Sequence, residues 1–250
     1  LDSKKVFTIS LIVRLYSMQM NINNKNKGLL TDHTSIAYAI QSSINYFDWG
    51  PIFSELPRES ILVGGFIRDK ILGKSVDVPD VDIVVPHNSL SIATKIAKKF
   101  NGKLIIIDKK RDIARIIFKE FIFDIAPKIK GSLSNDLQSR DFTINSIAFK
   151  LDSCTIFDPC GGLNDLKNSY LTSFNYDNLL LDPLRMLRCF RFFALLNFHI
   201  DEKLIQFIIR NKNYLQNVSC ERINYEIRQI IRGNYALETV VLINSLRLFD

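Results

Sequence analysis

Asp80 and Asp82 stand one residue apart in the run Asp80-Val81-Asp82-Ile83-Val84-Val85. This alternation predicts a strand with both carboxylates on one face and Val81, Ile83 and Val85 on the other. Two hard oxygen donors so close together suit Mg²⁺, which takes one or two carboxylates and completes its octahedron with water and substrate phosphates. The pair reads as half of a two-metal phosphoryl-transfer site. Upstream, Gly64-Gly65 ends the apolar run Ile61-Leu62-Val63, and an amphipathic stretch, Phe66 to Leu72, follows and stops at Gly73. The pattern is strand, tight turn, helix and helix stop. It puts Gly65 at a helix N-terminus, where free amides, the helix dipole and a backbone without side chains let a triphosphate come close. Arg68 adds a forked cation beside it, followed by Asp69.

The rest of the chain must position these groups. With 47% hydrophobic and 24% charged residues over 250 positions, the composition is that of a globular protein rather than a disordered one. A net charge of +7 favours a polyanionic partner. Cys154, Cys160, Cys189 and Cys220 form no CxxC pair and His33, His87 and His199 are scattered, so neither a zinc site nor a disulfide framework is implied and a reducing compartment is the default. No apolar run reaches the roughly 18 residues of a membrane span. Val6 to Leu15 is apolar with basic flanks but lacks the small-residue cleavage pattern of a targeting segment.

In chain order, Leu1 to Leu30 reads as a poorly ordered leader rich in Asn and Lys. A helix is expected over Thr31 to Phe47, capped by Thr31 or Asp32 and burying Ile36, Ala39, Ile40 and Ile44. Asp48 to Ser60, with Pro51 and Pro57, reads as a loop. A helix over Ser89 to Phe100 stops at Gly102 before a strand, Lys103 to Ile107. Ile113 to Phe118 and Phe121 to Ile125, separated by Lys119-Glu120, suit a hairpin. In Asp182 to Phe198, Pro183 fits a first helical turn and Asp182 its N-cap. Arg185, Arg188 and Arg191 recur every third residue, while Leu184, Leu187, Ala194 and Leu195 pack on the opposing side. An Asp with an Arg three residues on can present acceptors and fixed donors to a base edge, although such an arginine stripe is also what a solvated helix face looks like. Helices are expected over Asp201 to Arg210, Ser219 to Arg232 and Tyr235 to Phe249.

Taken together, GG-x-x-RD-x-x-LG followed by D-x-D at the start of an apolar strand resembles the head of the class II tRNA nucleotidyltransferases and bacterial poly(A) polymerases, within the polymerase-β-like nucleotidyltransferase superfamily. Ser139 to Phe149, SRDFTINSIAF, is similar to the family's RRDFTINA signature, with Ser139 at the first arginine. Phe157 to Leu166, FDPCGGLNDL, resembles its DPFGGxxDL turn. Asp182 and Arg185 resemble the last positions of its Glu-Asp-x-x-Arg motif, with Leu181 in place of the Glu. Glu221-Arg222-Ile223 and Glu226 resemble its ERIxxE segment.

The resemblance implies an α/β head, of the α+β type with a small mixed sheet, over residues 31–170 and an all-helical neck over 171–250. It implies template-independent addition of CMP and AMP to the 3′ end of tRNA, with ATP and CTP as substrates and two Mg²⁺ ions on Asp80 and Asp82, Asp124 being a candidate third carboxylate from a neighbouring strand. Gly64, Gly65, Arg68, Asp69, Arg140, Asp141, Asn145, Asp182, Arg185, Arg188 and Arg191 would bind the nucleotide, Asp182 and Arg185 reading its base. A flexible loop over about Lys109 to Lys119 would bear on the choice of nucleotide. Poly(A) synthesis, CC-only or A-only addition, and a non-catalytic RNA- or nucleotide-binding module are the alternatives; a Rossmann dinucleotide binder lacks its G-x-G-x-x-G spacing. The placement would be cytoplasmic in a bacterium, or in a plastid or mitochondrion.

Overall fold

The computed structural model describes residues 29–74, 77–129 and 132–249. The expected leader lies outside the described residues except for Leu29 and Leu30, and so does the apolar stretch Val6 to Leu15. The chain divides after Asn164 into two compact units.

The first unit opens with helix α1, His33–Tyr46, whose N-cap Asp32 accepts the Ser35 N–H at 2.8 Å. Ile36, Ile40 and Ile44 form its buried face, and Ala39 is half-buried. The expected loop after it contains a further short helix, α2 (Gly50–Phe53), with Pro51 in its first turn. Proline is tolerated there because the first N–H groups of a helix have no intrahelical acceptor. Trp49, fully buried, stacks on Phe47 at 5.0 Å and meets Phe66 and Phe123 at 5.5 and 5.3 Å between ring centroids.

Strand β1 (Ile61–Val63), helix α3 (Gly65–Ile71) and strand β2 (Asp80–Val85) follow. Next come helix α4 (Ser89–Lys99), strands β3 (Lys103–Asp108), β4 (Ile113–Ile117) and β5 (Ile122–Pro127), helix α5 (Leu133–Gln138), a 3₁₀ turn (Thr143–Asn145), and strands β6 (Ala148–Lys150) and β7 (Thr155–Phe157). The seven strands form one mixed sheet in the order β3-β4-β5-β2-β1-β6-β7. β1 is antiparallel to both neighbours, β2 and β6, whereas β2 is parallel to β5. The hairpin at Lys119-Glu120 forms as the pattern predicts, Ile117 facing Ile122, and the Phe118 N–H closes on the Phe121 carbonyl. Because β4 already begins at Ile113, the connection from β3 is confined to Lys109 to Asp112, shorter than the loop expected from Lys109 to Lys119. β3 is an edge strand and carries the exposed side chains of Ile105, Ile106 and Ile107.

Helix α6 (Gly162–Lys167) starts at the Asp158-Pro159-Cys160-Gly161-Gly162 turn. The Asp158 carboxylate accepts the N–H groups of Gly162 and Leu163 at 2.9 and 2.8 Å, capping the helix. A Cβ on Gly162 would collide with the Thr143 carbonyl oxygen, so a glycine there lets the turn lie against the 3₁₀ segment. Asp158→Ala is expected to cost about 1 kcal/mol, the usual value of a lost cap. A urea titration with an unchanged midpoint would contradict this.

Among its described residues the second unit is helical apart from a two-stranded parallel pair, β8 (Tyr170–Leu171) with β9 (His199–Ile200). Its helices are α7 (Asn178–Leu181), α8 (Leu184–Leu196), α9 (Glu202–Asn211), α10 (Cys220–Ile231) and α11 (Ala236–Ser245), with a 3₁₀ stretch at Lys212–Asn217. Helix α8 differs from its expected amphipathic pattern. Met186, Cys189, Phe190, Phe192 and Phe193 are buried along with Leu184, Leu187 and Ala194, whereas Leu195 is exposed. The reason is its central position, with α10 and α11 packed against it and α7, β8 and β9 also in contact.

Candidate functional site

Strand β2 presents Asp80 and Asp82 on one face because side chains alternate along a strand. Its parallel register sets Asp82 beside Asp124 of β5, and the antiparallel register of β4 and β5 sets Asp124 beside Arg115. Three carboxylates and one guanidinium thus share this part of the sheet. Arg115 donates Nε and Nη2 to the two oxygens of Asp124, both at 2.7 Å, and Nη2 lies 3.6 Å from Asp80. Burial, and then the charge of Asp124, push the Asp80 carboxyl above the ordinary carboxylate range despite Arg115. Sequence reading passed over Arg115; the hairpin register, which follows from the Lys119-Glu120 turn, was the signal that places it opposite Asp124.

The other wall is the turn between β1 and α3. Gly64 has φ 78° and ψ −143°, a conformation open almost only to glycine. A Cβ there would overlap Asp82 Oδ2 and stand 3.4 Å from Arg140 Nη1. The missing Cβ therefore leaves room beside the turn for the Asp82 carboxylate and the Arg140 guanidinium. Gly65 is the first residue of α3, as the sequence implied, but the turn conformation itself falls on Gly64.

Arg68 turns its fork inward. Nε and Nη2 bond the two oxygens of Asp69 at 2.9 Å each, and Nη1 bonds Asn145 Oδ1 at 2.7 Å. Asn145 Nδ2 donates to Asp141 Oδ1 at 3.0 Å, and that oxygen also accepts the Phe142 N–H at 2.9 Å. Asp141 and Asn145 are buried. This chain of bonds ties α3 to the Arg-Asp-Phe-Thr-Ile-Asn segment and brings Arg68, Asp69, Asp141 and Asn145 together. Arg140 reaches buried Asp136 at 3.4 Å, one helical turn back, and Ser139 caps α5 through its hydroxyl on the Asp136 carbonyl at 2.7 Å.

In the second unit Asp182 ends α7 rather than capping α8, whose N-cap is Pro183. Its carboxylate accepts the Leu184 N–H at 3.3 Å and pairs with Arg222 at 2.8 Å. Arg185 Nη1 donates to the Asn178 carbonyl at 2.9 Å. Arg188 and Arg191 lie over the Phe192 ring at 5.8 and 5.0 Å, and Arg191 pairs with buried Glu226 at 3.1 Å. Arg222 and Glu226, the residues of the ERIxxE resemblance, thus brace α10 against the segment that carries Asp182 and Arg191. Leu181 is exposed.

The donor set on β2 fits a divalent cation through Asp80 and Asp82, two hard oxygens whose repulsion a cation relieves. Among the described residues no group of three or more His, Cys, Asp or Glu side chains is gathered closely enough to hold one ion, consistent with Asp124 being engaged by Arg115. No helix among the described residues is long and apolar enough to cross a membrane.

Comparison with known proteins agrees with this geometry. Residues 60–172 match the poly(A) polymerase head domain, and residues 197–250 match a probable RNA- and SrmB-binding site of polymerase A. A CC-adding tRNA nucleotidyltransferase from Synechocystis sp. is 35% identical over 176 residues, covering 70% of this chain and 42% of that protein. An A-adding tRNA nucleotidyltransferase from Deinococcus radiodurans is 30% identical over 205 residues, covering 80% and 46%. The structure of a CCA-adding enzyme with CTP superposes with a TM-score of 0.74 at 28% identity over 87% of this chain and 55% of that one. The chain spans less than half the length of these two curated relatives. Its head domain, mixed sheet and signature segments are those of one lineage: the chain belongs to the family of the tRNA nucleotidyltransferases and bacterial poly(A) polymerases.

Proposed function

We propose that the chain carries the catalytic head of an enzyme that transfers nucleotides from CTP and ATP to the 3′ end of tRNA. The observation that carries this reading is the pairing of Asp80 and Asp82 on one strand face with the Gly64 turn against Asp82. In the reaction a bond forms between the RNA 3′ oxygen and the α-phosphorus, and the bond from that phosphorus to pyrophosphate breaks. A divalent ion is general to this family. Mg²⁺ on Asp80 and Asp82, two ions in the full reading, would stabilise the phosphate charge and favour ionisation of the 3′-hydroxyl. Gly64, Gly65 and Arg140 line the triphosphate side. Arg68, Asp69, Asp141 and Asn145 hold that side rigid, and catalysis rests on positioning and charge stabilisation rather than on a covalent nucleophile.

Asp182, at the end of α7, and Arg185, on α8, choose the base, and Arg188 and Arg191 support α8. Arg185→Ala is expected to change the preference between ATP and CTP by roughly tenfold or more, because a site built around hydrogen bonds discriminates strongly against a mismatched partner. Equal kcat/KM ratios for the two nucleotides before and after the change would refute this role.

CCA addition is the first reading. CC-only addition is the second, favoured by the 35% identity to a protein named as CC-adding. The chain incubated with Mg²⁺ and tRNA transcripts ending before CCA, after C or after CC, with ATP and CTP singly and together, decides by product length. Growth to CCA supports the first, arrest after CC with no use of ATP supports the second, and long adenosine tails indicate poly(A) synthesis. Absence of transfer in every case refutes catalysis by this chain.

A further inference from the structure

We propose that Arg115 is a built-in counter-cation of the carboxylate site, a positioning residue that holds Asp124 beside Asp82 and competes with a divalent ion for the charge of Asp80, Asp82 and Asp124. This rests on the reading of Asp80 and Asp82 as metal ligands.

The argument starts from the strands. β4 and β5 are joined by a tight turn, so Arg115 and Asp124 face each other across an antiparallel pair, where opposite charges attract at short range. The bond is two-pronged, with both oxygens of Asp124 engaged at 2.7 Å, the arrangement in which a guanidinium is most selective and least easily replaced by an ammonium. Asp124 is in turn in register with Asp82, and Arg115 Nη2 is 3.6 Å from Asp80. Arg115 is about two-thirds buried, its side chain 32% exposed, so solvent screens its charge less than at an open surface. Three acidic side chains on adjacent strands repel one another unless a positive charge is present. Arg115 supplies that charge permanently and a metal ion supplies it on binding, so the two oppose each other. With both Asp124 oxygens on Arg115, the ion is left to Asp80, Asp82, water and substrate phosphates, and its affinity stays moderate.

The test uses Mn²⁺ as probe, with free ion counted by electron paramagnetic resonance over the full chain and its variants, and melting followed with and without the ion. Arg115→Gln is expected to bind Mn²⁺ roughly tenfold more tightly, the scale on which groups behind the ligands tune a metal site. It should also melt lower than the parent in EDTA and recover most of the difference as Mn²⁺ is added. Arg115→Lys, which keeps the charge but not the fork, should return the affinity part of the way to the parent value. Unchanged or weaker Mn²⁺ binding by Arg115→Gln would overturn the competition, as would an Arg115→Lys variant that binds like Arg115→Gln. Asp82→Asn separates the two levels of failure. If it binds Mn²⁺ as well as the parent does, the metal-site reading itself is wrong; if it loses the ion while Arg115→Gln binds as the parent does, only the role of Arg115 falls.

Discussion

Asp82→Ala is expected to lower nucleotide transfer by roughly a thousandfold or more, the scale of losing a preorganised group that stabilises transition-state charge. Asp82 is flanked on one side by the Gly64 backbone and on the other by Asp124 in register. No other carboxylate of β2 or β5 can take its place, because Asp80 lies two residues along the strand and Asp124 is held by Arg115. Removing the charge should leave the chain folded, since the buried face of the strand is supplied by Val81, Ile83 and Val85. Single-turnover transfer of labelled CMP to a tRNA transcript, read beside a melting curve, checks both. A folded Asp82→Ala variant with parental, Mg²⁺-dependent transfer would remove this residue from the site, whereas an unfolded one would show that it also has a structural role.

Gly64→Ala carries the second large effect. A non-glycine residue at φ 78° and ψ −143° costs about 1–3 kcal/mol in backbone strain. Its methyl group would in addition occupy space now filled by Asp82 Oδ2. A carboxylate displaced by about an ångström forfeits roughly a hundredfold in rate. The control is Gly65→Ala. There the nearest heavy atom to a new Cβ is Arg68 Nη2 at 3.4 Å, the end of a side chain that can shift, and no positive φ is required. Denaturant titration of both variants tests the contrast in strain, and kcat is read for Gly64→Ala. If Gly65→Ala proved as destabilising as Gly64→Ala, the assignment of the turn conformation to Gly64 would fail as the explanation.

The parts of the fold that announced themselves in the sequence are those governed by short-range rules. Alternation along Asp80 to Val85, the glycine stop after α3, the Asp32 cap and the turn at Lys119-Glu120 each need only neighbours in the chain, and each is found where the pattern put it. Non-local pairings were not legible. Nothing near Asp124 says that its strand runs parallel to β2, so its alignment with Asp82 emerges only from the assembled sheet. An arginine within an alternating strand reads locally as a solvent-facing residue, which is why Arg115 escaped notice. Trp49 was hidden by its setting: two prolines nearby suggested an open loop, yet an aromatic side chain of that size fills a core wherever the chain allows it. Asp182 was read as a helix cap by its position before Pro183, and the one-residue difference reflects the short helix α7 that precedes it, whose end it forms.

The central place of β1 bears on how the protein is made. Its three residues pair on one side with β2, close in sequence, and on the other with β6, where Ile61 meets Lys150. During synthesis the first side can form as soon as β2 has emerged, but the second waits until the chain through Lys150 is free of the ribosome. In that interval β1 presents an unpaired apolar edge, the kind of surface on which nascent chains associate wrongly. The segment Ser139 to Phe149, whose Asn145 secures Arg68, arrives together with the strand that closes this edge. Closure of the sheet over β1 and the arrival of Asn145 beside Arg68 are therefore a single event in translation, and a pause just upstream of it would prolong the exposure of that edge.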